Sequence, residues 1–517
     1  MDSGPAAGGD STVMSYLALE EHFRRISRLE HLEAIASWDE AAIMPVGGGE
    51  ARAAALATLK TLIHAETSSP RVGEWLARAE AEQDQLDAWQ RANLREVKQG
   101  YVRATALPPD LVEAASLANS KSEQAWRKLR PANDWQSFQP LLTEVVRLQR
   151  EVAAALADRL GLEPYDALLD GYEPGGRSAL IAPLFAELSA ALPELIKGAM
   201  ERQARSPAAD IVGPFPAEAQ RRLGLELMKQ LGFDFEHGRL DTSHHPFCGG
   251  VPQDVRITTR YDEQDCLSAL LGVLHETGHA KYEQHRPPRY VDQPVGRARS
   301  MSLHESQSLL LEMQVCRSRE FAEVLAPRLA HSFPDAARKA PSGLDPLSVE
   351  NVARVLTRVR PDFIRVEADE MTYPCHIVLR FEIERALIAG QLQVADLPEL
   401  WDVQMRRLLG LSTAGNFKDG CMQDVHWPAG LFGYFPTYTL GAMTAAQLFQ
   451  AARRDQPTLD GAIAAGDLSG LDRWLDERVW SQGCLLETPA LVQAATGAAL
   501  GTEAFLRHLR RRYLGQG

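Results

Sequence analysis

Residues 15–42 read SYLALEEHFRRISRLEHLEAIASWDEAA, with apolar side chains returning every three or four positions and charges filling the faces between them. That spacing predicts a long amphipathic helix. It recurs in 74–104 (EWLARAEAEQDQLDAWQRANLREVKQGYVRA) and 138–160 (FQPLLTEVVRLQREVAAALADRL). Ala, Leu, Glu and Arg dominate these runs, and all four are strong helix formers. Extended structure is signalled in one place only, 238–265 (GRLDTSHHPFCGGVPQDVRITTRYDEQD). There turn formers precede the β-branched stretch VRITTRY, and acidic residues able to open a helix follow. The pattern predicts a mainly helical, all-α protein with one short β-ribbon. No repeat of 20–50 residues and no Pro/Ser-rich linker divides the chain. One catalytic body over 13–517, behind a flexible N-terminal stretch 1–12, is therefore favoured over the several domains that 517 residues would allow.

Composition narrows the function classes. Fifty-five Lys and Arg against 69 Asp and Glu leave a formal charge of −14, which repels phosphate backbones and anionic lipid surfaces. No nucleic acid and no membrane is the expectation, and no run of 18 consecutive apolar residues argues for a span. Six scattered cysteines without a CxxC pair suit a reducing compartment, so a cytoplasmic location is expected. The opening MDSGPAAGGDS is small and polar, without the basic and apolar regions of a secretory signal.

The chemistry concentrates in Leu274-His275-Glu276-Thr277-Gly278-His279-Ala280. Histidines at i and i+4 lie one turn apart on a helix, so both imidazoles can reach one cation. Glu276 is turned by about 100° from His275 and can take a proton from a water that the ion acidifies. The upstream CLSALLGVL reads as a buried helix, where a metal-free histidine pair would be costly. A catalytic zinc needs a third protein ligand. Glu305, 26 residues after His279 in His304-Glu305-Ser306-Gln307, is the next candidate, on a second helix folding back. Spacing alone leaves it level with a first-turn carboxylate favoured by the helix dipole, with His304 and Glu312 as further candidates. Glu312, two turns on, could support a ligand from behind. Gly198-Ala199-Met200-Glu201-Arg202 looks like the GAMEN element by which zinc aminopeptidases hold a substrate's amino terminus. It ends in Arg, lies too far upstream and continues a helical run, so it reads as ordinary helix.

Five boxes in order resemble the M32 metallocarboxypeptidases: Asp254-Val255-Arg256-Ile257-Thr258, His275 to His279, His304-Glu305-Ser306-Gln307, Ile364 to Asp369 (IRVEAD) and Gly420 to Trp427 (GCMQDVHW). Trp38-Asp39, Met44-Pro45 and Gly433 to Tyr438 extend the likeness over essentially the whole chain. The resemblance implies a helical fold like that of neurolysin and the angiotensin-converting enzymes, with a small β-ribbon beside a deep groove. It also implies His275, His279 and Glu305 as ligands of Zn²⁺ (Co²⁺ being the alternative ion), and a homodimer. Departures are Leu311 where Trp is usual, and Tyr373-Pro374-Cys375-His376 where the family has more regular helix. Pro374 should kink the chain or start a helix there.

A carboxypeptidase must hold its substrate's terminal carboxylate, for which a guanidinium fork is the best partner. Arg365 and Arg256 are the candidates, the competing reading being buried ion pairs, Arg256 with Asp254 or Arg365 with Asp369. His426 and Tyr434 are the nominated donors to a tetrahedral oxyanion, and Trp427 reads as core. The leading expectation is a zinc metallocarboxypeptidase releasing single residues from peptide C-termini, with Glu276 as general base. The alternatives are an oligopeptidase or peptidyl-dipeptidase on the same fold, and a non-catalytic helical binding scaffold, which would have no use for Glu276.

Overall fold

The computed structural model describes residues 11–244, 246–336 and 345–516. The expected flexible stretch 1–12 falls outside these residues except for its last two, where the first helix, Ser11–Ala42, already begins. The 138–160 run is a helix from Trp135 to Leu160, started by Asp134 accepting from Ser137 N and ended by Gly161 in the left-handed conformation. The 74–104 run differs from its reading as one periodic stretch. It forms two helices, Pro70–Ala81 and Ala88–Ala106, because Asp87 and Gln90 make a reciprocal capping box that restarts the helix. The GAMER segment lies inside the helix Ser178–Arg205. That helix is long and apolar enough to cross a membrane by composition. Its Ile181, Phe185, Leu188, Leu192 and Ile196 instead pack into the largest apolar cluster.

Two large cores share one helix. The first joins Trp135–Leu160, Ser178–Arg205 and Tyr373–Ile388; the second joins Ala217–Gln230 to Arg319–Ser332. Pro436–Asp455 gives Leu440 and Met443 to the first and Leu448 and Phe449 to the second. The N-terminal helices form a smaller cluster around Tyr16, Phe23, Val72 and Leu76.

The expected β element is a small three-stranded mixed sheet. Strands β1 (Gly238–Thr242), β2 (Phe247–Val251) and β3 (Asp254–Thr259) stand in the order β1-β3-β2, with β1 parallel and β2 antiparallel to β3. The turn at 252–253 explains the antiparallel pair. The parallel pair is long-range and leaves no local signal. Asp265 caps the following helix, Cys266–Gln284, by accepting from Leu267 N and Ser268 N. Pro374 sits in the first turn of Tyr373–Ile388 and so marks a helix start, where its missing N–H costs nothing.

Candidate metal centre and substrate groove

His275 and His279 project from Cys266–Gln284, and Glu305 from the helix Met301–Leu309 that crosses it. The crossing is tight. A Cβ on Gly278 would lie 2.5 Å from Gln307 O and 2.6 Å from Ser308 Cα. Behind Glu305, a Cβ on Gly441 would lie 2.9 Å from both Glu305 Cβ and Cγ. Glycine at both positions lets three backbones meet, which brings the carboxylate to the imidazoles. Glu305 Oε2 is 3.4 Å from His279 Nε2 and 3.9 Å from His275 Nε2, and one donor atom from each residue lies within 4.8 Å of the others.

Each histidine is oriented from behind. Glu312 Oε2 is 3.0 Å from His275 Nδ1, and a carboxylate can only accept, so the proton sits on Nδ1 and the Nε2 lone pair faces inward. His279 Nδ1 lies 3.1 Å from His304 O and 2.6 Å from His304 Nδ1. His304 Nε2 donates to Glu283 Oε1 at 2.9 Å, leaving its Nδ1 as acceptor and His279 Nδ1–H as donor. Glu283 is also held by Arg286 at 2.7 Å. Burial would raise its carboxyl, but Arg286 and His304 outweigh this and bring it to about 2.

The donor set fits a divalent ion. Burial, with His304 beside it, brings His279 down to about 4 and so keeps it neutral. Burial also opposes charge on His275, yet Glu305, Glu312 and Glu276 together lift it to about 10. Three carboxylates around one imidazole favour positive charge there, which a divalent ion would supply in place of the His275 proton, held by the Nε2 atoms of both histidines and a Glu305 oxygen. Glu276 is raised to about 7, chiefly by burial, with His275 pulling it down and Glu305 pushing it up.

A groove of about 1730 Å³ runs over these residues, walled by the N-terminal helix at Glu30, by β2, by 365–369 and by Tyr434, Thr437 and Tyr438. Of the four substrate-binding candidates, Arg365 and Tyr434 line it; Arg256 and His426 are not among the lining residues. Arg256 forks onto Asp254, two residues away on the same strand face, and lies 4.4 Å over the Trp38 ring. Its competing ion-pair reading is the one the geometry favours. His426 packs on Phe435 with ring centroids 4.5 Å apart, and its Nε2 is 3.4 Å from Tyr438 Oη. Burial lowers it to about 4. It stands behind the tyrosines and not in the groove wall.

Arg365 does make a buried ion pair, but with Asp424 and not with Asp369. Its Nε and Nη2 reach Asp424 Oδ1 at 3.1 and 2.8 Å. Asp369 is occupied by the amides of Arg360, Met371 and Thr372. Arg380 reaches Asp424 Oδ2 at 2.8 Å through Nε and also through Nη2. Two guanidiniums thus share one carboxylate. Arg365 Nη1, not engaged by Asp424, donates to Tyr373 Oη at 3.3 Å. Tyr373, Tyr434 and Tyr438 line the groove together with Arg365 and Glu305: burial raises each hydroxyl first, and each is then affected by both charges. Trp427 is core, its Nε1 donating to Glu384 at 2.8 Å. Sequence reasoning missed Asp424 as an anchor although it quoted the box containing it, and missed Arg380 altogether.

Known proteins agree along the chain's length. The family profile described as carboxypeptidase Taq (M32) metallopeptidase matches residues 18–513. Thermostable carboxypeptidase 1 of Thermus thermophilus is 42% identical over 511 residues, covering 96% of this chain and 98% of its own. Carboxypeptidase 1 of Bacillus subtilis is 34% identical, covering 95% and 96%. Among solved structures, Trypanosoma cruzi metallocarboxypeptidase 1 superposes with a TM-score of 0.93 at 42% identity, covering 97% of this chain and 99% of that one. An M32 carboxypeptidase from Deinococcus radiodurans gives 0.91 at 34%, covering 97% and 99%. With the two-histidine, one-glutamate cluster on crossed helices and this match in sequence and fold, the chain belongs to the M32 metallocarboxypeptidases, hydrolases that act on peptides.

Proposed function

We propose that this carboxypeptidase releases single amino acids from peptide C-termini with a zinc ion held by His275, His279 and Glu305, cobalt being the alternative. The observation that carries the reading is the Arg365–Asp424–Arg380 cluster at the groove wall. One carboxylate against two guanidiniums leaves a positive charge in excess, and Arg365, whose Nη1 is not taken by Asp424, lines the groove. A peptide's terminal carboxylate supplies the missing anion.

When bound, a divalent ion at this site supplies Lewis acidity toward a water and toward the scissile carbonyl. Glu276, next to His275 yet turned away from its donor atom, accepts the proton of the attacking water and returns it to the leaving amine. Tyr434, in the groove wall near Glu305, donates toward the oxyanion. Arg365 fixes the carboxylate so that the last peptide bond lies over the site.

Four peptides test the reading: one with free ends, its C-terminal amide, its N-acetyl form, and the free peptide with a chelator present. Loss of a single residue from the free and acetylated forms only, with zinc measured in the enzyme, supports it. Release of dipeptides, or rapid turnover of the amide, would favour a peptidyl-dipeptidase or oligopeptidase. A homodimer and a cytoplasmic location belong to the same proposal. The family likeness supports the first, and six unpaired cysteines, five of them buried, support the second. Sedimentation and fractionation are the respective tests.

A further inference from the structure

We infer that Arg317 is a positioning residue for His275, acting through Glu312. The inference rests on the metal-site reading above, with His275 as a ligand. Arg317 Nη2 and Nε reach Glu312 Oε1 at 2.8 and 3.3 Å, while Glu312 Oε2 accepts from His275 Nδ1 at 3.0 Å. Each carboxylate oxygen therefore has its own partner, and the carboxylate plane is fixed by the fork on one side and the imidazole on the other.

Main chain repeats the side-chain link. Glu312 lies in a π-helical turn, Leu310–Cys316, that follows the Glu305 helix, and Arg317 N donates to Glu312 O at 3.1 Å. Such turns widen the helix by one residue and often occur where a side chain must be re-aimed. Here the turn lets Glu312 reach the outer nitrogen of His275 while Glu305 meets the inner one. Arg317 is anchored in turn by Nη1 donating to Leu356 O at 3.1 Å, and Glu370 adds negative potential beyond it. Glu370, Arg317, Glu312 and His275 alternate in charge, the last three in the groove wall. Only His275 of the four needs to touch the ion. Arg317, held in the groove wall by Glu312 and Leu356 O, would thus set the ring's orientation and the electron density at its inner nitrogen through Glu312 and not by ligating the metal.

A double-mutant cycle tests this on the full-length protein, with Zn²⁺ affinity read by competition with a chelating dye and the Co²⁺-loaded protein read by its visible absorption bands. Arg317→Met and Glu312→Gln should each weaken Zn²⁺ binding by about 10–100-fold and shift the Co²⁺ bands. The double variant should bind no more weakly than Glu312→Gln alone, because both changes break one relay. Arg317→Met with wild-type affinity and spectrum would overturn the inference, as would an undiminished loss in the Glu312→Gln background. If Arg317→Met does not fold, Arg317→Lys decides. It keeps the charge but cannot fork, so an intermediate affinity supports the relay and wild-type affinity sinks it. Wild-type protein without Zn²⁺ affinity would instead overturn the metal-site reading beneath it.

Discussion

At the residue scale, Glu276 and Arg365 separate chemistry from binding. Glu276→Gln keeps the shape of the side chain and removes its basicity, while His275, His279 and Glu305 are untouched. Metal content and peptide affinity should stay near wild type and kcat should fall by about 10²–10⁴-fold; lost metal would show that Glu276 supports the ion. Arg365→Met removes the guanidinium that meets the groove and leaves Asp424 paired with Arg380. A charge-assisted hydrogen bond contributes about 1.5–3 kcal/mol, so kcat/KM on a free C-terminus should drop by roughly 10–100-fold. The much slower turnover of the amide should barely change, and equal losses on both substrates would remove Arg365 from carboxylate recognition. The histidine pair and the Arg256–Asp254 fork could be read from sequence because both are local: i,i+4 on a helix and i,i+2 on a strand. Asp424 could not be read that way. Its partners Arg365 and Arg380 stand 59 and 44 positions upstream, and nothing periodic connects them.

At the element scale, the sequence read Glu305 and Glu312 as sharing one helical face. The π-helical turn that holds Glu312 gives each a different nitrogen of His275. Helix periodicity foretold the element but not the widened turn, whose stabilisation comes from the far end of the chain. Arg512 donates to Met313 O, and to Gln314 O at 2.8 Å, while Glu370 receives His508 Nε2 at 2.7 Å and Tyr513 Oη at 2.8 Å. Burial alone would raise the Glu370 carboxyl, but its His508 and Arg512 partners outweigh this and hold it at about 2, below an ordinary glutamate's 4.5. A depressed folded value means the contribution is fully present above pH 4.5 and is lost as pH falls toward 2. Its size is on the order of 3 kcal/mol. Urea midpoints measured between pH 5 and pH 2.5 should fall more steeply for the wild type than for Glu370→Gln. Parallel curves would show that this carboxylate does not govern acid stability.

At the scale of the whole molecule, Pro436–Asp455 serves both large cores, and its Gly441 backs the Glu305 side chain. A methyl at Gly278 meets main chain that cannot rotate away. Gly278→Ala should therefore cost about 1–3 kcal/mol or more by overpacking, with metal affinity falling alongside the melting temperature. Gly441→Ala meets the flexible stem of Glu305 instead, so it should cost less stability and chiefly displace the carboxylate; unchanged metal affinity in this variant would refute that. The distance between the imidazoles and the carboxylate is thus gauged by hydrogen atoms on the reverse side of the helices, at positions that touch neither ion nor peptide. Such a gap works as a calliper: a few tenths of an ångström added from behind would retune which ionic radius the site grips, with every donor atom still in place.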